Sequence, residues 1–221
     1  MKVFLVVSLL LLSISIFALN KPIALLLNDG DYLNTTSLIE KALKDLKVDY
    51  KLYRTFLGEF PEKGSYSGII LSGGSDMSAF FNNDGSAKET VKLITESNVP
   101  VLGICMGHQL IGKIYGASLI YLEERGWIEV KELKDNVLFT GLPEVFNVWE
   151  NHMYTLNKVP EDFELLAIGE SGSIQVIKHR EKPIYGVQFH PEKGDNKKFN
   201  HGFMVLLNFI TLVEYYDSKS Y

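Results

Sequence analysis

Apolar positions come in short blocks along most of the chain, and the spacing inside each block predicts the element. Ile23 to Leu27 is an unbroken apolar run closed by Asn28-Asp29-Gly30, which predicts a buried strand and a turn. From Thr35 to Leu46 the apolar residues Leu38, Ile39, Ala42, Leu43 and Leu46 recur at helical spacing, which predicts an amphipathic helix. "VDYKLYR", ending at Arg54, alternates as a strand does. "GIILSGG", residues 68 to 74, is a short apolar strand that runs into glycines. A helix is expected from Ala87 to Ser97, a strand in "VPVLGI" up to Ile104, and a helix from His108 to Tyr115. Continuous apolar strands alternating with helices predict a parallel sheet covered on both faces.

The second half reads mainly as strands: Ser118–Leu122, Trp127–Leu133, Val145–Val148, Phe163–Ile168, Ser173–His179 and Ile184–Val187. A last helix is expected from about Lys198 to Tyr216. There is no repeat, no low-complexity tract and no linker rich in Pro, Gly or Ser. The expected fold is a single flavodoxin-like α/β domain with a mostly parallel central sheet and helices on both faces. Ligands of such folds bind outside the carboxyl ends of the strands.

Composition narrows the function classes. The chain has 221 residues, 46% hydrophobic and 22% charged, with a net charge of -5. That is a globular composition without a basic patch, so an electrostatic grip on nucleic acid is not expected. The first residues differ from the rest. Lys2 precedes an apolar run from Val3 to Ala18 interrupted only by serines, the pattern of a secretory signal peptide. The expected organisation is therefore a targeting segment at 1–18 and a catalytic domain at 19–221, exported, with membrane contact only through that segment. Asn34-Thr35-Thr36 matches a glycosylation acceptor triplet, which short patterns often do by chance.

Candidate chemistry begins at the single cysteine, Cys105, which follows an apolar strand and precedes a helix. One cysteine excludes an internal disulfide and a Cys-based zinc site. A residue at a strand-to-helix turn sits at the helix N-terminus, where unpaired N–H groups and the dipole favour negative charge. Gly103 and Gly107 flank the cysteine at minus two and plus two, the small neighbours that a nucleophile elbow needs. A lone cysteine is also commonly core filler, so the stretch alone leaves both readings open. His190 follows the strand Ile184–Val187, Pro191 fixes the chain, and Glu192 comes two residues later. These are residue types suited to a base and the group that orients it. Gly73-Gly74 after an apolar strand can turn backbone N–H groups toward an oxyanion.

In this order, "GIILSGG", "PVLGICMGHQLI" and "YGVQFHPE" resemble the class I glutamine amidotransferase family over nearly all of residues 22 to 212. The resemblance implies roles. Cys105 is the nucleophile toward a γ-glutamyl carbonyl, His190 the proton carrier and Glu192 its orienting group. The N–H groups of Gly74 and Met106 form an oxyanion hole, with Gly73 beside it. Gln109 contacts the glutamyl backbone groups. "VWENHMYTL" places Asn151, His152 and Met153 near the substrate, with His152 as pocket wall rather than catalytic base. His108 is given no chemistry, and His179 and His201 have no motif. No metal and no organic cofactor are implied.

The resemblance is strongest to the glutaminase part of GMP synthetase. Lys193 and the "NHMYTL" pattern are similar to secreted γ-glutamyl hydrolases, whereas Ile104 before the cysteine and "GHQL" after it depart from that branch. Ser75 replaces the proline frequent after Gly-Gly in the GMP synthetase glutaminases. Because the leader implies export, the expectation is a stand-alone exported hydrolase of a γ-glutamyl C–N bond in a small-molecule substrate. An ammonia-donating glutaminase with a synthetase partner is the disfavoured alternative. A catalytically inactive binding domain on the same fold is the other.

Overall fold

The computed structural model describes residues 18–30, 32–75, 77, 84–193 and 201–219. All of the expected targeting segment except Ala18 lies outside these, as does the side chain of Asn34. The described chain begins on the body of the domain: the Ala18 N–H donates to Glu214 Oε1 at 3.2 Å and the Asn20 N–H to Asp217 Oδ2 at 2.7 Å.

Strand β1 (Ile23–Leu27) leads through a short wide turn at Tyr32–Thr36 into helix α1 (Ser37–Asp45) and strand β2 (Tyr50–Arg54). Strand β3 (Gly68–Leu71), helix α2 (Asp84–Thr95), strand β4 (Val101–Ile104) and helix α3 (Met106–Ile114) follow. Then come β5 (Leu119–Glu132), β6 (Val145–Leu156), β7 (Phe163–Gly169), β8 (Ile174–His179), β9 (Ile184–Val187) and helix α4 (His201–Ser218). The nine strands form one sheet in the order β2-β1-β3-β4-β9-β8-β7-β5-β6. From β2 to β9 every pairing is parallel, in the 2-1-3-4-5 order of a flavodoxin-like sheet, and from β9 to β6 every pairing is antiparallel. The expected α/β class therefore holds, with the parallel strands carrying the helices and an antiparallel extension beside them.

Period-two alternation explains why the strands are apolar throughout. Ile23, Leu25, Ile70, Leu102 and Ile104 pack on one face with Ile39 and Leu43 of α1 and Phe209 and Val213 of α4. Ala24, Leu26, Ile69, Leu71 and Val101 pack on the other with Ile94 of α2 and Ile111 of α3. A strand covered on both sides has no polar face to show.

The second half departs from expectation in one instructive way. The two short strands expected at 118–122 and 127–133 are a single long strand, β5, and β6 continues eight residues beyond Val148 to Leu156. The polar run Glu123-Glu124-Arg125-Gly126 has the composition of a break. It is held in the ladder by cross-strand pairing with β6, with a register shift between Tyr121 and Glu124. Edge-to-face pairs Trp127–Trp149 and Tyr121–Tyr154 stitch the two strands across the ladder, with ring centroids 5.6 and 5.9 Å apart.

The packing of α3 onto the sheet depends on two glycines. A Cβ on Gly103 would lie 2.5 Å from the Gly107 carbonyl oxygen, and a Cβ on Gly107 would lie 2.5 Å from the Leu71 carbonyl oxygen. Both obstacles are backbone, so neither can swing aside. Gly107→Ala is expected to cost about 3 kcal/mol, toward the upper end for overpacking a close contact. Thermal denaturation should show a fall in Tm of roughly 10 °C for a domain of this size. An unchanged Tm would mean that helix and strand separate more easily than the contact implies.

Candidate active site

The end of β4 turns into α3 within one residue, and that residue is Cys105. Its φ of 49° and ψ of -103° are strained for a side chain with a Cβ. The strain is held in place by two backbone hydrogen bonds: the Cys105 N–H donates to the Val187 carbonyl at 2.8 Å, and its own carbonyl accepts from Gln109 N–H at 3.0 Å. The first anchors the turn to β9 and the second to α3. The expected elbow is therefore present, with Cys105 lining a cavity and the head of a helix beside it.

His190 is delivered by the neighbouring strand β9, three residues past its end. The backbone N–H of His190 donates to the Trp149 carbonyl of β6 at 2.9 Å. Its Nδ1 donates to Glu192 Oε1 at 2.7 Å, and both side chains are almost fully buried. That bond fixes the ring so that its other nitrogen faces the Cys105 sulfur, with which it is in hydrogen-bond contact. Burial alone would disfavour a charged imidazole. The Glu192 carboxylate and the Cys105 sulfur outweigh burial and push His190 up to about 10. The imidazole is thus held toward its charged form beside the Cys105 sulfur.

The cavity at Cys105 holds about 560 Å³ and is lined by Gly74, Gln109, Asn151, His152, Met153 and His190, among others. A Cβ on Gly74 would meet the end of the Met106 side chain and come within 2.6 Å of Asp29 Oδ2, so these side chains would have to shift for anything larger. Met106 opens α3, so its N–H has no partner within the helix. Gly73 sits against His190, its Cβ position 3.1 Å from His190 Cε1. Asn151 and Met153 are exposed at the rim, and His152 is buried in the wall. His108 is fully buried, and burial drives its imidazole down to about 3. It is a neutral packing group against Gly186.

Gln109 lines the same cavity. Its Nε2 donates to the Tyr154 carbonyl at 2.6 Å and to Gln188 Oε1 at 3.2 Å. These bonds brace α3 against β6 and the segment after β9. Gln188 in turn directs its own Nε2 toward the Cys105 sulfur at 3.9 Å. No motif marks Gln188 in the sequence, although it stands two residues before His190. Thr35, Arg125, Tyr154 and Lys193 also line the cavity without having been expected there. A weak signal exists for Lys193, next to Glu192. There is none for Thr35, which reaches the site only because the turn before α1 brings its hydroxyl to the Gly73 carbonyl at 3.3 Å.

Glu124, Glu150 and His152 bring their ligand-type atoms within 4.8 Å of one another. His152 Nε2, however, donates to Glu124 Oε2 at 2.9 Å, and the same carboxylate accepts from Ser171, Ser173 and Gln175. Glu124 and His152 are thus already joined in a hydrogen-bonded network, with Glu150 beside it.

A cysteine elbow facing a buried His–Glu pair, on a sheet of this order, has counterparts among known proteins. Residues 30–205 match the model of the family described as glutamine amidotransferase class-I. The chain belongs to that family. It is 39% identical to a Methanococcus maripaludis protein named as a subunit of glutamine-hydrolyzing GMP synthase, over 85% of this chain and 94% of that one. It is 37% identical to the protein of the same name from Methanocaldococcus jannaschii, over 87% and 98% of the two chains. Among solved structures, a protein assigned as a GMP synthase subunit from Thermoplasma acidophilum superposes with a TM-score of 0.75 and 29% identity, covering 91% of this chain and 97% of that one.

These relatives overturn two expectations, that of a stand-alone exported hydrolase and that of a disfavoured synthetase partner. The proteins that the chain matches nearly end to end are named as subunits of a synthase. The misleading signals have physical origins. The "NHMYTL" likeness rests partly on Met153 and Tyr154, which are 47% and 46% exposed at the cavity rim, where packing constrains residue choice least. A leader of the kind expected at 1–18 would, for its part, speak to where a chain goes and not to what its active site releases.

Proposed function

We propose that this chain is the glutaminase component of a GMP synthetase, releasing ammonia from glutamine at Cys105 and passing it to a separate synthetase partner. What supports this reading is the 39% identity spread over 94% of the Methanococcus maripaludis protein. The buried Cys105 and the His190–Glu192 pair supply the chemistry.

The steps follow from the positions of the groups. The Cys105 sulfur anion attacks the γ-carbonyl carbon of glutamine, and negative charge moves onto the carbonyl oxygen. The N–H groups of Gly74 and Met106 receive that oxygen in this reading. His190 gives its proton to the amide nitrogen, the C–N bond breaks, and ammonia leaves with a γ-glutamyl thioester remaining on Cys105. Now neutral, His190 takes a proton from water, which attacks the thioester and restores the thiolate and imidazolium as glutamate departs. Glu192 keeps the ring oriented throughout. Asn151, His152 and Met153 form the wall past which glutamine enters.

The test is reconstitution. With glutamine as nitrogen source, GMP should form only when both this chain and a synthetase partner are present. Ammonia should replace this chain altogether. Glutamine turnover should rise on the order of tenfold on adding the partner, a coupling of ordinary size for communicating sites. Rapid turnover by the chain alone, unaltered by the partner and without GMP, would refute the proposal.

A further inference from the structure

Beside Cys105 lies a row of titratable groups that the reaction above does not use. The register shift in β5 sets Glu124 directly across the ladder from His152, and its side chain is buried. Glu124 accepts hydrogen bonds from Ser171 Oγ at 2.6 Å, Ser173 Oγ at 3.2 Å, Gln175 Nε2 at 3.1 Å and His152 Nε2 at 2.9 Å. Burial opposes its charge, yet these donors hold its carboxyl below the usual carboxylate range.

Glu150 has the opposite surroundings. It is fully buried, and neither oxygen has a well-formed hydrogen bond among the described residues. His152 Nε2 lies 3.3 Å from its Oε2, but the proton on that nitrogen already serves Glu124. Glu150 is also tied to the catalytic centre through the backbone, since the adjacent Trp149 carbonyl accepts the His190 N–H. The groups facing it are Cys105 at the head of α3, His190 after β9, Glu124 on β5, His152 on its own strand and Gln175 on β8. Burial and then the Cys105 charge raise its carboxyl well above the usual range, with Glu124 adding to them, against smaller favourable effects of His190 and Gln175. A second negative charge buried beside the Cys105 sulfur would oppose an anion there.

We propose that Glu150 is a positioning residue for the nucleophile: a fully buried carboxyl with no well-formed hydrogen bond among the described residues to stabilise a charge, it adds no competing negative charge beside the Cys105–His190 pair, and a charge placed on it weakens that pair. The proposal rests on the reading of Cys105 as nucleophile. It assigns Glu150 no contact with substrate; Glu150 acts through the charge state of the thiol.

The experiment compares the full chain with Glu150→Gln and, as a second neutral replacement, Glu150→Leu. Alkylation of Cys105 by iodoacetamide is followed from pH 6 to 9. The ratio of the Glu150→Gln rate to the wild-type rate should climb with pH by about tenfold, the equivalent of one pKa unit. A ratio that stays flat across the range overturns the proposal. A second readout needs no reactivity. A carboxyl whose folded pKa is raised contributes stability that is complete below its unfolded pKa and is lost as pH rises toward the folded one. Wild-type Tm should therefore fall relative to both variants between pH 5 and 8, and fall less when Cys105→Ser is present in each background. Identical slopes in wild type and variants also overturn it. Failure of the nucleophile reading would look different: Cys105→Ser would then keep its glutamine turnover, whatever Glu150 does.

Discussion

Cys105→Ser is expected to lower glutamine turnover by on the order of 10⁴-fold or more while leaving the fold in place, the scale seen when a nucleophile that works as part of a unit is removed. The loss follows from the match between the sulfur and its partner. His190 is held toward its charged form, up to about 10, by Glu192 and by the Cys105 sulfur itself. That arrangement suits a nucleophile that already exists as an anion. A serine hydroxyl does not ionise in the accessible range, so it would need His190 as a neutral base, which the charge of Glu192 opposes. The fold should survive, because Cys105 contributes one small buried side chain and the turn is held by backbone bonds to Val187 and Gln109. The variant should bind glutamine in the same cavity, show a Tm within a few degrees of wild type, and fail to support GMP formation from glutamine when mixed with the synthetase partner. Ammonia-dependent synthesis by that mixture should continue. Turnover within tenfold of wild type would remove Cys105 from the chemistry.

Much of the site is legible in the sequence because its parts stand at the ends of apolar strands. Cys105 follows β4, His190 follows β9, and Gly73 and Gly74 follow β3, so three short apolar runs point to one edge of the parallel sheet. The glycines flanking Cys105 are readable for the same reason: with backbone 2.5 Å from each Cβ position, nothing larger fits. The antiparallel half is not legible in this way. Hydrophobic periodicity reports contact with apolar neighbours, whereas Glu124 and Glu150 are buried against polar ones. Glu124 lies in a run that looks like a surface turn, and Glu150 stands between Trp149 and Asn151 with no pattern to mark it. Their burial comes from the pairing of β5 with β6 and β7, over separations that no local window spans. Gln109 falls at the cavity as expected, but its hydrogen-bond partners there, the Tyr154 carbonyl and Gln188, are distant in sequence and could not be read from it.

Glu192→Gln should lower turnover by about 10³ to 10⁴-fold, as amide replacement of a carboxylate that orients a catalytic histidine does elsewhere. Glu192 Oε1 is 2.7 Å from His190 Nδ1, and Oε2 has no other partner among the described residues, so the carboxylate is committed to the imidazole. A glutamine can still accept from Nδ1 through its oxygen, but it brings no charge, and its amide NH₂ in the same place would impose the wrong tautomer. With the carboxylate gone, burial is opposed only by the sulfur, and the imidazole should drop well below about 10. The alkaline limb of the turnover profile should therefore move to lower pH. The sign for stability is equally definite. A histidine whose folded pKa is raised contributes stability that is complete below its unfolded value, near 6.5, and is lost as pH rises through about 10. The Tm gap between wild type and Glu192→Gln should be widest at pH 6 and should narrow toward pH 10. KM for glutamine should change little, since Glu192 does not line the cavity. A loss of turnover with the alkaline limb unmoved would mean that Glu192 holds the loop after β9 in shape and does not set the charge of His190.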